Sequence, residues 1–181
     1  WLGESFGKLS RLENGIIALH PIRQPVLPAV LGAIDQIAPK AKEKGNEIRL
    51  SGNQKLTAVF DSKWTEEVFY NLLDNAVKYG NRDSAVTVSL TEGEIYVRID
   101  VINEGLRIPE REYSKIFQRF YRGEAVKQQE GVGLGLYLAR EIVRKQGGYI
   151  RVAGRPEGQT VFLVYLPCQE FSKTTISVKG C

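Results

Sequence analysis

Methionine is absent from all 181 residues, position 1 included, so the chain reads as a piece of a longer protein. Cysteine is almost absent as well: Cys168 and Cys181 stand near the C-terminus. Two thiols exclude a disulfide scaffold and a cysteine-based metal centre, and they suit a reducing compartment. No apolar run approaches the roughly 20 residues that cross a bilayer, and no secretory signal pattern opens the sequence. Membrane attachment is therefore expected only through segments outside these residues, with the fragment itself cytoplasmic. Blocks of like charge are missing too. "PKAKEKGNEIR" mixes signs, and a net charge of +4 is too mild to call for nucleic acid. There is no internal repeat, no G-x-x-x-x-G-K-[ST] phosphate loop and no dinucleotide fingerprint. What is present, 43% hydrophobic and 25% charged residues, is ordinary for one soluble domain able to bury a core.

Hydropathy spacing then divides the chain. Leu2, Phe6 and Leu9 recur at helical spacing in residues 1–13, and "NG" at 14–15 stops that helix. Prolines at 21, 25 and 28 make residues 16–28 a connector with room for one short strand. Val30, Ile34, Ile37 and Ala41 predict a second helix ending at Gly45, its second half weakened by Pro39. "EIRL" and "TAVF" read as short strands around the "SGNQ" turn. Asp61 or Ser62 is placed to cap a helix over about 63–79, with Gly80-Asn81 just past its end. Residues 85–90 and 95–102 predict a hairpin around "TEGE", with Ile95, Val97, Ile99 and Val101 on one face. Residues 104–132 are long, polar and glycine-punctuated, with a helical turn near "REYSKIF", and so long a loop is usually functional. A helix over about 133–146, strands "YIRVA" and "TVFLVYLP", and a loose tail at 168–181 complete the pattern. The sum is an α+β fold, a two-layer α/β sandwich with one mixed, mostly antiparallel sheet and helices packed on one face.

Three stretches carry chemical signals. In "NLLDNAVKYG", residues 71–80, Asn71, Asp74, Asn75 and Lys78 fall at i, i+3, i+4 and i+7 and share one stripe. Val68, Phe69, Leu72, Leu73, Ala76 and Val77 cover the rest of that helix. A merely wet face would use Glu, Lys or Gln, because asparagine is a mediocre helix former. Asparagine oxygens suit Mg²⁺, a lysine one turn on offers phosphate a point charge, and Tyr79 offers a base a flat face. In "EGVGLGLYLAREIVRKQGG", Gly131, Gly133 and Gly135, with Leu134 among them, run straight into a helix, where free N–H groups and the positive dipole end favour phosphate. In "IFQRFYRG", Phe117 and Phe120 read as an aromatic cluster pinning a loop to the core. Arg119, Tyr121 and Arg122 stand at the mouth of the polar stretch, placed to reach phosphate oxygens, with Lys127 beyond them.

In this order, "NLLDNAVKY", "VINEGLRIPE", "IFQRFYRG" and "GVGLGLYLAREIV" resemble the N box, first glycine box, F box and second glycine box of the catalytic ATP-binding domain of bacterial sensor histidine kinases. That domain belongs to the superfamily shared by gyrase, Hsp90 and MutL. The resemblance covers residues 16–167 and implies a Bergerat-type sandwich. Residues 1–15, with "LSRLENG", resemble the end of the family's dimerisation helices, and 168–181 form a tail. The resemblance implies ATP and Mg²⁺ as cofactors. It places Asn75 on the metal, Asn71 beside it facing the phosphates, Lys78 on phosphate and Tyr79 beside the adenine. Asn103 and Gly105 fall in the base pocket, Gly131, Gly133, Leu134 and Gly135 at the lid end and phosphate loop, and Arg119 and Arg122 with the nucleotide contacts. The stretch from Phe120 to Gly131 matches the ATP lid. The superfamily's hydrolases carry a glutamate where Asn71 stands. A neutral amide cannot act as a general base, which favours phosphotransfer by Asn71 and Lys78 over hydrolysis. The implied partners are the protein's own dimerisation and phosphoacceptor domain, a second copy in a homodimer, and a response regulator.

One box departs from the family's D-x-G-x-G-I: here stand Asn103, Glu104, Gly105, Leu106, Arg107 and Ile108. Asn103 loses the charge assistance of an aspartate, worth about 1–2 kcal/mol. Arg107 replaces a glycine, at a cost of about 1 kcal/mol if its φ is positive, and Leu106 with Arg107 stands to crowd the base. ATP binding is therefore expected to be weakened, by about tenfold to a thousandfold. His20, the only histidine, lies in "ALHPIRQP" without the phosphoacceptor motif, so the acceptor is expected upstream. Two other readings remain at this stage: a pseudo-kinase of the same fold, and an ATPase or serine-kinase relative.

Overall fold

The computed structural model describes residues 2–105, 107–122 and 134–170. Helix α1 (Leu2–Glu13) leads through strand β1 (Ile22–Pro25) to helix α2 (Leu27–Lys44). Strands β2 (Glu47–Gly52) and β3 (Thr57–Phe60) precede helix α3 (Ser62–Tyr79). The hairpin β4 (Ala85–Thr91) and β5 (Tyr96–Glu104), helix α4 (Gly135–Lys145), and strands β6 (Tyr149–Arg155) and β7 (Gln159–Pro167) follow. Five strands form one sheet in the order β2-β4-β5-β7-β6, in which only the β2–β4 pair is parallel. Alternation along β5 buries Val97, Ile99 and Val101 in the cluster that also holds Leu72 of α3 and Leu138 of α4. The other face carries Tyr96, Tyr149 and Tyr165, the last two stacked at 4.2 Å, and buried Asp100 paired with Arg98 at 2.9 Å and Arg155 at 3.5 Å. The expected two-layer sandwich is thus observed.

Some local expectations fail for physical reasons. "EIRL" and "TAVF" are strands as expected but enter different sheets: β2 joins the main sheet, while β3 runs antiparallel to β1 as a separate two-stranded ribbon. α2 continues through Pro39, which is exposed; the carbonyl that lost its donor can be hydrated, and the buried stripe Ala29, Val30, Ala33, Ile37 and Ala41 holds the helix down. On α1 the buried pair is Leu9 and Leu12, within the main core, while Phe6 stays 49% exposed. Ile95 lies in the hairpin turn, exposed, one residue before β5 begins. Phe117 is buried and packs edge-on against Phe162 with ring centroids 6.0 Å apart, as a core anchor should. Phe120 is not an anchor: it is 53% exposed and its backbone sits at φ 62°. Cys168 is buried and disulfide-bonded. Among the described residues no helix is long and apolar enough to cross a membrane.

The two helices that frame the site are fixed at their far ends. Asp61 caps α3, accepting from the Trp64 amide at 3.0 Å, and its other oxygen accepts from the amide of exposed His20 at 2.9 Å. Buried Gln146, just past α4, accepts from the Asp61 amide at 2.5 Å and donates to Thr65 Oγ1 at 3.1 Å. Gln146→Leu leaves those α3 groups without partners and is expected to cost about 1–3 kcal/mol, read as a lower denaturant midpoint with an unchanged slope.

Candidate functional site

α3 packs against both α2 and α4, and along its second half an outward edge remains half-exposed: Asn71, Asp74, Asn75, Lys78 and Tyr79. Asn71 turns toward α4, its Nδ2 donating to the Gly135 carbonyl at 3.3 Å. Asp74 turns the opposite way and takes the Lys40 ammonium of α2 at 3.1 Å, which removes it from the stripe that spacing alone suggested. Between these two, the side chains of Asn75 and Lys78 have no hydrogen-bond or ion-pair partner among the described residues. The end of α3 is closed by Lys44, whose Nζ donates to the Val77 and Lys78 carbonyls at 2.5 and 3.0 Å. Burial, helped by the Arg82 charge, holds the Lys44 ammonium below its ordinary pKa. Burial pushes the Tyr79 phenol up, and the nearby Arg122 charge acts against that rise.

Strand β5 reaches this corner through glycine. Gly105 bridges to Gly80, and the Asn81 amide donates to the Glu104 carbonyl at 2.7 Å. A Cβ on Gly105 would lie 2.5 Å from the Tyr79 carbonyl oxygen and 2.7 Å from the Gly80 Cα, so only glycine permits the approach. Two residues earlier, Asn103 is buried and pairs across the strands with buried Thr160 of β7. On the far side of Asn71, α4 begins after buried Leu134, whose side chain caps none of the first-turn N–H groups. Asn71, Asn75, Lys78, Tyr79, Asn103, Gly105, Leu134 and Gly135 therefore gather around one corner.

The other expected residues divide. Gly131, Gly133, Lys127 and Leu106 lie outside the described residues. The Arg122 charge acts on the Tyr79 phenol. Arg119 does not face this corner: its guanidinium pairs with Glu13 at the end of α1 and lies 5.1 Å from the Tyr137 ring centroid. Tyr137 Oη donates to the same Glu13 oxygen at 3.2 Å. Tyr121 is likewise turned inward, donating to Glu112 at 2.6 Å. Arg107 is exposed, is not among the residues with positive φ, and extends toward Gly154 of β6, so the strain and crowding expected of it are absent. Sequence reasoning missed Glu13 and Thr160. A glutamate closing a helix and a threonine opening an apolar strand carry no local signal of their partners.

Comparison with known proteins matches this geometry. Residues 60–170 fit the family described as histidine kinase-, DNA gyrase B-, and HSP90-like ATPase. The chain is 34% identical over 141 residues to the signal transduction histidine-protein kinase/phosphatase MprB of Mycobacterium sp. (strain KMS), covering 74% of this chain and 27% of MprB. It is 40% identical over 163 residues to the sensor protein KdpD of Escherichia coli (strain K12), covering 89% of this chain and 18% of KdpD. Its fold is similar to that of histidine kinase ThkA, solved in complex with the response regulator protein TrrA, with a TM-score of 0.72 at 21% identity, over 93% of this chain and 49% of that one. The chain belongs to this ATPase family, among the ATP-binding catalytic domains of histidine kinases. The chain spans well under half the length of either curated relative.

Proposed function

We propose that this chain holds Mg-ATP at the corner of α3, β5 and α4 and presents the γ-phosphoryl for in-line transfer to a histidine on an upstream dimerisation domain. The observation that carries this reading is a pair of free, ligand-ready side chains, Asn75 and Lys78, on a helix edge that Asn71 ties to the first residue of α4. In this reading Asn75 offers its amide oxygen to Mg²⁺ and Lys78 its charge to phosphate. Tyr79, Asn103 and Gly105 meet the base, and Arg122 with the backbone of Gly131, Gly133, Leu134 and Gly135 meets the phosphates. The donor set fits the ion. Among the described residues no three His, Cys, Asp or Glu gather to hold a metal, and Mg²⁺ is commonly held by one or two protein oxygens, the substrate's phosphates and water. When bound, Mg²⁺ supplies charge neutralisation between the β- and γ-phosphates. Asn71, being neutral, orients rather than abstracts a proton, which favours transfer over hydrolysis.

The pseudo-kinase reading loses the ground that Arg107 gave it, since ordinary backbone accommodates that residue; the neutral amide of Asn103 stays, as does Leu106, which lies outside the described residues. Residues 1–15 fit the end of a dimerisation helix, 16–167 the ATP-binding domain and 168–181 a tail. A second copy, that dimerisation domain and a response regulator are the partners, the last supported by the ThkA–TrrA complex. The setting is the cytoplasmic side of a sensor. Mg-ATP at a hundred times its Kd should stabilise the chain by about 2.7 kcal/mol, raising the melting temperature by about 5–10 °C, with EDTA abolishing the shift. A melting temperature that millimolar Mg-ATP and Mg-ADP leave unmoved would overturn the proposal.

A further inference from the structure

Asn103 and Thr160 are cross-strand partners on β5 and β7, and both are buried, at 4% and 3% exposure. Their backbones lie within the β5–β7 ladder, which leaves their side chains to find partners elsewhere. Thr160 Oγ1 is buried with no hydrogen-bond partner among the described residues. The Asn103 amide bonds to no other described residue and keeps some contact with solvent. Buried polar groups in native folds are nearly always completed, by protein, water or ligand. Here the open pair sits two residues from Gly105, where β5 meets Tyr79 and the end of α3.

Both groups are also ambivalent. An asparagine amide offers either its oxygen or, after a half-turn, its NH₂; a threonine hydroxyl donates or accepts as it rotates. Among the described residues no side chain fixes the choice for either. A carboxylate at position 103 would only accept while ionised.

We infer that this wall reads a purine through Asn103 and Thr160 without distinguishing a 6-amino from a 6-oxo group, so that inosine triphosphate is bound about as well as ATP. The inference rests on the proposed nucleotide site. Toward a 6-amino purine, Asn103 accepts from the exocyclic amine while Thr160 donates to N1. Toward a 6-oxo purine, Asn103 donates to O6 while Thr160 accepts from the N1 proton. The same atoms are satisfied either way, and the two states differ only by rotations of an amide and a hydroxyl.

The test is equilibrium binding of ATP and of ITP, each with Mg²⁺, to the whole chain and to Asn103→Asp, with thermal melts verifying that the variant folds. ATP and ITP are expected to bind the parent within about tenfold of each other. In Asn103→Asp, ATP should tighten about tenfold and ITP weaken at least a hundredfold, because a fixed acceptor meets another acceptor. Thr160→Val should weaken both nucleotides by similar factors. Should Asn103→Asp fail to fold, Asn103→Leu replaces it and must weaken both alike. A parent chain preferring ATP more than tenfold overturns the inference and leaves the Mg-ATP site standing. Failure of either nucleotide to bind overturns both.

Discussion

Replacing Asn75 by alanine is expected to lower Mg-ATP affinity at least a hundredfold, about 2.7 kcal/mol, with the melting temperature of the nucleotide-free chain within about 2 °C of the parent. The two halves of that result come from one fact. Asn75 is half-exposed and its side chain bonds to no described residue, so the fold does not lean on it. Its neighbours Asn71 and Asp74 are each occupied, by the Gly135 carbonyl and by Lys40, and neither is free to take its place. Isothermal titration with and without Mg²⁺ separates metal from nucleotide contact: the loss should be large for Mg-ATP and small for metal-free ADP. Asn75→Asp sharpens the point, because it keeps an oxygen for the cation but adds a negative charge beside the triphosphate, so recovery should be partial. An alanine variant that binds Mg-ATP as tightly as the parent would remove Asn75 from the metal.

Gly105→Ala is expected to destabilise the chain by about 3 kcal/mol, lowering its melting temperature by about 10 °C, and to weaken nucleotide binding beyond what the lost stability explains. The added methyl would meet backbone on two sides, the Tyr79 carbonyl oxygen at 2.5 Å and the Gly80 Cα at 2.7 Å, and neither can swing away as a side-chain tip would. Relief requires β5 to part from the end of α3, which breaks the 2.7 Å hydrogen bond from the Asn81 amide to the Glu104 carbonyl. That same parting shifts Asn103 relative to Tyr79. Gly7→Ala on α1 is the control: it has open space around it and helical backbone, so it should stabilise slightly, by about 0.5–1 kcal/mol. Equal melting temperatures for Gly105→Ala and the parent would show that the corner is looser than described.

Faces were legible in the sequence, and partners were not. The period of 3.6 marked the buried side of α3, Asp61 announced its start, and period 2 marked the inner face of β5. Each of those signals is local. Which strand lies beside which is decided by closure of distant chain segments, so "EIRL" and "TAVF", neighbours in sequence, entered different sheets. Arg119 shows the same limit in the site. Its type and position suggested phosphate, but it pairs with a carboxylate 106 residues away. Arg107 was expected to suffer for replacing a glycine, yet ordinary backbone accommodates it. Thr160 comes to lie beside Asn103 by cross-strand register alone, which no spacing within β7 reveals. The four boxes were readable because their residue types are chemically odd where they stand: amides on a helix edge, and glycines where a helix begins.

Lys44 has an effect beyond holding α3 in place. The last carbonyls of a helix form a negative pole that draws in any cation within reach. Lys78, at the very end of α3, would be the natural one to fold back there. An amine arriving from α2 already fills that position, with donations at 2.5 and 3.0 Å. One lysine thus acts as a rivet and leaves its neighbour's charge uncommitted, at full reach, for whatever anion comes to the corner.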